Sequence, residues 1–313
     1  MGNKPGIRLC TDDEFRLLFT TYGARETAER LGCSERAVYK RRRSIARSVP
    51  MPAPSQLGGQ EYPDFNTIEV KNGPILVGSD FHLWPGHESV ALRGFKKICA
   101  DVRPVAVILN GDVLDFPQIS RHQPMGWEGA PEPAQEIECA QDHLNDIIKL
   151  MPRGAHKIWT LGNHDARFEG RLATVAREYK NIKGIHLSDH FPLWQKGWEV
   201  QVNRDVVIKH RWHNGIHATY NNTLKAGKTV VTGHLHSQQV RPYTDLNGTR
   251  YGIDTGCVAS PWHKAFNYAE NNPRNWISGF AVLSFKDGRL LQPELASVWD
   301  EKSIQFRGAV IKV

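Results

Sequence analysis

An α/β fold preceded by a small all-α unit is what this sequence predicts, and three observations predict it. The 313 residues are 40% hydrophobic and 23% charged, ordinary values for a chain that folds around a sizeable core. From residue 74 onward, short apolar runs recur, each closing on a cluster of Asp, Asn or His. Before residue 51 the pattern is helical and basic: residues 1–50 hold 11 Lys and Arg against 6 Asp and Glu, so +5 of the net charge of +7 sits there. That asymmetry points the first fifty residues toward a polyanion. No apolar run approaches the roughly 18–20 residues that span a bilayer. Lys4, Arg8, Asp12, Asp13, Glu14 and Arg16 leave no uncharged core for a signal peptide, so a cytoplasmic protein with no membrane partner is expected. The five cysteines are scattered with no CxxC pair, which argues against a disulfide framework and a thiolate zinc site.

Residues 1–50 read as three helices. Thr11 caps the first, with Glu14 completing a capping box, and Phe15, Leu18 and Phe19 then share one face. A second, about Ala24 to Leu31, stops at Gly32, which suits a left-handed turn. Ser34 caps a third, running through Ala37, Val38, Tyr39 and Ile45. Ala28, Gly32 and Val38 occupy the small, turn and core offsets of a helix-turn-helix, and residues 24–43 resemble such DNA-binding domains. The third helix carries Arg36, Lys40, Arg41, Arg42, Arg43 and Arg47, with no acid after Glu35. Side chains of that kind neutralise phosphates, so DNA is the expected partner; the alternative is a solvated basic face. Residues 51–66, with three Pro and two Gly, read as a linker to a large unit over 67–313.

In that large unit the apolar runs 74–79, 105–109, 157–161, 206–209 and 228–232 read as buried strands. They lead respectively into Asp80 and His82; Asp112 and Asp115; Asn163, His164 and Asp165; His210; and His234 and His236. Ligands in such sheets gather beyond the carboxyl ends of the strands. Carboxylate, amide and imidazole donors without thiolate suit Mn²⁺, Fe or Zn²⁺. On extended chain, D-x-H and H-x-H aim alternate side chains the same way.

In this order D-x-H, G-D-x-x-D, G-N-H-D and G-H-x-H resemble the calcineurin-like metallophosphoesterases. The resemblance implies a two-layer β sandwich flanked by helices (α/β/β/α) and two divalent metal ions, Mn²⁺ foremost with Fe or Zn²⁺ as alternatives. Carried over residue by residue, Asp80, His82 and His236 would hold one ion, Asn163 and His234 the other, with Asp112 bridging. His164 would stabilise the transition state or protonate the leaving oxygen, with Asp115 orienting its ring. The family's further His falls in residues 209–217, KHRWHNGIH, as either His210, which ends the strand, or His213, which Asn-Gly follows.

The protein serine/threonine phosphatases of this superfamily follow G-D-x-x-D with Arg-Gly and write G-N-H-E. Here Phe116-Pro117 and Asp165 stand in those places. Residues 117–133 read as an inserted loop whose Arg121, His122 and Trp127 either contact a substrate strand or cover the domain. His87 lies near enough to His82 to line the cleft, whereas His143, His156, His186, His190 and His263 read as surface or capping residues. Asp165 either orients a neighbour or caps the following helix, the preferred use, and Trp84 and Trp262 either stack bases or pack. With the basic unit as substrate clue, the expectation is a phosphodiesterase that cuts DNA by in-line attack of a hydroxide bridging the metals. The alternatives are a small-molecule phosphomonoesterase, a cyclic-nucleotide phosphodiesterase, a protein phosphatase at DNA, and a DNA-binding regulator with an inactive domain.

Overall fold

Thr11 begins the first helix in the way its spacing from Glu14 predicts. Its hydroxyl accepts from the Glu14 amide at 3.2 Å, and the Glu14 carboxylate accepts from the Thr11 amide at 2.8 Å. The computed structural model describes residues 10–45, 62–120, 129–270, 272 and 274–313. They fall into two units, divided between Glu61 and Tyr62. In the first, α1 (Asp12–Leu31) is broken at Gly23, which separates the two helices expected there. Gly32, at φ 62°, turns the chain into α2 (Glu35–Ile45), a conformation that costs glycine little. Phe15, Phe19, Ala28, Leu31, Val38 and Ile45 form the core.

The basic run is not one uniform face. Arg36, Lys40 and Arg43 are exposed. Arg41 instead pairs with Asp12 at 3.0 Å, donates to the Cys10 carbonyl and lies over the Phe15 ring, while Arg42 lies over Phe19. The small aromatic core draws these two guanidinium planes onto itself and leaves them only partly exposed. Arg47, residues 51–61, and Arg121, His122 and Trp127 lie outside the described residues.

The second unit opens with β1 (Asn66–Ile68), β2 (Gly73–Gly78), α3 (Val90–Val102), β3 (Ala106–Asn110), α4 (Pro133–Leu150) and β4 (His156–Thr160). It continues with α5 (Asp165–Val175), α6 (Leu187–His190), β5 (Gln195–Gly197), β6 (Val200–Val202), β7 (Val206–Ile208), α7 (Ala218–Ala226) and β8 (Thr229–Thr232). It ends with β9 (Gln239–Asp245), β10 (Gly248–Asp254), β11 (Gly279–Lys286), β12 (Arg289–Leu290), β13 (Glu294–Asp300), β14 (Ser303–Phe306) and β15 (Ala309–Lys312). Residues 62–66 belong here and not to the linker that composition suggests: the Trp198 amide donates to the Pro63 carbonyl, and Asn66 pairs with Val200.

Two sheets result, ordered β1-β6-β7-β8-β10-β9 and β15-β14-β13-β11-β2-β3-β4-β5, with β12 on β11. Alternation along the strands builds the layers. Ile75, Val77, Ala106, Ile108 and Ile158 enter one core with Val206, Ile208 and Val231 of the other sheet. Leu76, Val107, Leu109 and Trp159, on the opposite face, enter a second core with Phe95 and Ile98 of α3 and Leu144 and Ile147 of α4. On the far side α7 lies against β10, so close that a Cβ on Gly252 would meet the Thr219 carbonyl at 2.2 Å. The order of layers is therefore helices, sheet, sheet, helix. β2, β3 and β4 are mutually parallel, as are β7 and β8, and the residues after all five carry the chemistry. Among the described residues no helix is long and apolar enough to cross a membrane.

Candidate metal centre

The turns after β2, β3, β4, β7 and β8 converge. Asp80 Oδ1 lies 3.0 Å from His236 Nε2, 3.9 Å from His210 Nε2 and 4.0 Å from His82 Nε2. Asp112 Oδ2 lies 3.1 Å from His210 Nε2 and 3.8 Å from His164 Nε2. Asp80, His82 and His236 form one compact donor group, and Asp112, His210 and His234 form a second. All of these but His234 are buried. His213 is in neither group and stacks on Trp212, with ring centroids 5.5 Å apart.

The side chains do not converge by alternation along extended chain. Asp80, His82, Asp112, His234 and His236 all have positive φ, between 39° and 69°. The chain coils as it leaves β2, β3 and β8, and this rather than a pleat aims both members of the D-x-H and H-x-H pairs inward. Asp and His enter that region more readily than most residues, at roughly 1–3 kcal/mol each, and such strain gathers at functional sites.

The donor atoms fit metal ions. His210 Nδ1–H donates to the Asn110 carbonyl at 2.8 Å, which fixes the ring and frees Nε2 for a cation, which must displace the proton that the Asp112 and Asp80 carboxylates hold there. His82 Nδ1–H donates to Asp115 at 3.2 Å, again freeing Nε2. His82 Nε2, His210 Nε2 and Asn163 Oδ1 are buried without a hydrogen-bond partner among the described residues, a costly state for three neighbouring polar atoms that cations would relieve. A Cβ on Gly162 would stand 2.1 Å from Asp112 Oδ1, and one on Gly233 would stand 2.5 Å from Asp80 Oδ2. Burial opposes charge on His210, yet the Asp112 and Asp80 carboxylates override it and hold that imidazole up to about 10. Burial and His210 together push His234 down to about 4, so it stays a neutral donor.

His164 stands beside these groups. Its Nδ1–H donates to Asp115 Oδ1 at 2.5 Å, so Nε2 is an acceptor, and Arg167 Nη2 donates to it at 3.1 Å. Arg167 Nη1 also donates to the Asp115 carbonyl at 2.7 Å. Sequence reasoning missed Arg167; its position three residues past His164 on α5 was the available signal.

Two further carboxylates act through the backbone. Asp165 is fully buried and accepts from the amides of Asp112, Val113, Leu114 and Gly162 and from Trp159 Nε1, at 2.9 to 3.2 Å. It is no helix cap, as preferred from sequence: it ties the turn after β3 to the turn after β4. Glu136, on α4, accepts from the Asp115 and Phe116 amides at 3.0 and 2.8 Å. Burial pushes the Glu136 carboxyl up to about 8 from 4.5. The folded chain therefore binds more protons than the unfolded chain between those values, and stability falls as pH rises through that window. Glu136→Gln keeps an oxygen for both amides and has nothing to ionise. The variant is expected to gain on wild type by up to about 5 kcal/mol between pH 4.5 and 8, read as diverging melting temperatures; parallel curves would refute it.

Of the remaining residues singled out from sequence, His87 stacks on His263 with centroids 4.2 Å apart, Trp84 is buried, and Trp262 is exposed.

A family model described as calcineurin-like phosphoesterase matches residues 73–255. The chain is similar to the gene 54 proteins of Mycobacterium phages L5 and D29, each 26% identical over 258 residues, covering 72% of this chain and 93% of theirs. Among solved structures it resembles Vps29 of Chaetomium thermophilum at 10% identity, covering 77% of this chain and 97% of that one, with a TM-score of 0.42. It also resembles Yfce, a phosphoesterase from E. coli, at 14% identity, covering 70% and 97%, with a TM-score of 0.34.

Proposed function

The chain belongs to the calcineurin-like phosphoesterases, and from that premise we propose that it is a dinuclear-metal-dependent phosphodiesterase that cuts DNA. The observation that carries the reading is the pair of donor groups meeting at Asp80 and Asp112, with unpartnered His82 Nε2, His210 Nε2 and Asn163 Oδ1 among them. Asp80, His82 and His236 would hold one divalent ion and Asn163, His210 and His234 the other, with Asp112 available to both. Two such ions, Mn²⁺ in the first instance, supply an acidified water and Lewis acidity toward a phosphoryl oxygen. The chain's own groups do the rest. Asp115 fixes the His164 ring, and Arg167, which donates to His164 Nε2, brings a positive charge for a non-bridging oxygen and would release that nitrogen to the reacting group. Asp165 and Glu136 hold the turns that carry Asp112 and Asp115.

DNA enters through the first unit. We assign its helices around Gly32 to a helix-turn-helix, with Arg36, Lys40 and Arg43 as its exposed phosphate contacts. The expected result is Mn²⁺-dependent cleavage of end-labelled DNA that weakens with salt. Replacing Arg36, Lys40 and Arg43 together with Ala should weaken binding about tenfold or more and flatten the salt slope by about 2–3. Hydrolysis of a phosphomonoester with DNA untouched would overturn the reading in favour of a small-molecule phosphatase.

A further inference from the structure

We propose that Trp262, Phe266, Tyr268, Arg274 and Trp276 form a nucleobase-stacking subsite beside the metal centre, with Trp262 as its platform, so that a strand with unpaired bases lies there while its phosphate is cut. The proposal rests on the phosphodiesterase reading and narrows its substrate to single-stranded or locally opened nucleic acid.

Trp262 is 81% exposed, an unusual state for so large an apolar ring. It belongs to a row of aromatic groups that leads to the metal centre. The Arg274 guanidinium lies 5.4 Å from the centre of the Trp262 ring and 5.0 Å from that of Trp276, and the Trp276 ring packs 4.5 Å from His236. Phe266 completes the row, 4.9 Å from His82 and 5.5 Å from His236. Tyr268 lies 6.2 Å from Phe266 and is half exposed.

The segment is held stiffly. Arg274 donates to the carbonyls of Pro261, Phe266 and Glu270, at 2.5 to 3.2 Å. Asn275 Nδ2 donates to Ser237 Oγ at 2.8 Å, and the Ile277 amide donates to the His236 carbonyl at 2.9 Å. The aromatic row is thus fastened to the turn that carries His234 and His236 and keeps its place relative to a bound phosphate. Stacking on such a ring tolerates any sequence, because every base has a π-face, and a nearby guanidinium adds attraction for the strand. A fixed, exposed tryptophan one row of rings from a phosphoester centre matches a nucleoside next to the scissile bond.

The test uses the full chain with Mn²⁺ and two end-labelled single-stranded oligonucleotides of equal length, one carrying bases throughout and one with a central abasic run. Wild type is expected to cleave the first with a KM about 5- to 50-fold lower. Trp262→Ala should erase most of that preference through KM, and Trp262→Phe should keep most of it. The same preference in wild type and Trp262→Ala would overturn the subsite and leave the phosphodiesterase reading standing. Failure of wild type to cleave either strand would overturn that reading, and the subsite with it.

Discussion

Replacing Asp112 with Asn is expected to cut phosphodiester turnover by about 10³-fold or more and to lower the metal content of the purified chain. The Asp112 carboxylate is 2% exposed, faces His210 Nε2 at 3.1 Å and accepts from the His164 amide at 2.8 Å. Burial alone would favour its protonated form, but the imidazoles of His210 and His164 hold it well below the ordinary carboxylate range, so it is charged whenever a divalent ion competes for it. An amide offers one oxygen and no charge, and an ion stabilising the transition state is worth several kcal/mol, which sets the magnitude. The fold is expected to survive. Position 112 has φ 50°, a region Asn enters as easily as Asp, and an Asn amide oxygen still accepts from His164. Metal analysis beside circular dichroism checks this, and a variant with wild-type turnover would remove Asp112 from the centre.

His164→Gln is expected to lower kcat by about 10²–10⁴-fold with KM and metal content little changed. His164 lies outside the two groups around Asp80 and Asp112 and clusters with His82 and Asp115, but its nitrogens are engaged: Nδ1 donates to Asp115 at 2.5 Å, and Nε2 accepts from Arg167 at 3.1 Å. Its contribution is therefore to the reacting group and not to ion binding. The size of the loss should depend on the leaving group. An alkoxide, as at a DNA 3′ oxygen, needs a proton as it departs, which His164 supplies once its Nε2 has taken up a proton from solvent and parted from Arg167, whereas p-nitrophenolate needs none, so the chromogenic diester should lose least. Equal losses on both would leave His164 stabilising charge on the phosphoryl oxygens without protonating the leaving oxygen. Metal loss in this variant would instead make it a ligand.

The strands and their terminal clusters were legible because each ligand residue directly follows a continuous apolar run, and 2-residue spacing within D-x-H and H-x-H is a local signal. The structure supplies what spacing alone lacked, namely that the chain coils into positive φ at those residues. The choice between His210 and His213 turned on three-dimensional surroundings: the Asn110 carbonyl that fixes His210 lies 100 positions away in sequence. Glu136 gave no warning, because nothing about a Glu in the first turn of an amphipathic helix, where acids are common, reveals that it meets two amides 20 and 21 residues earlier. Asp165 read as a cap since an acid at a helix start normally is one. Arg41 and Arg42 read as ligand contacts because charge is visible in sequence, whereas the aromatic rings that hold them are visible only once the helices pack.

The position of β11 bears on when this protein becomes a hydrolase. β11 lies between β2 and β13, pairing Ala281 with Val77 and Leu283 with Ile75 across some 200 residues of sequence. Beside it the Val258 and Ala259 amides bind the carbonyls of Ser79 and Asp80, and the Ile277 amide binds that of His236. The turns bearing Asp80 and His236 thus lean on segments made well after them. On a translating ribosome, every proposed ligand residue has been added by residue 236, yet the strand that backs the first of them is still to come. Contacts of such long separation are slow to form. Nascent chains are therefore expected to lack phosphoesterase activity until β11 has been made and has paired with β2.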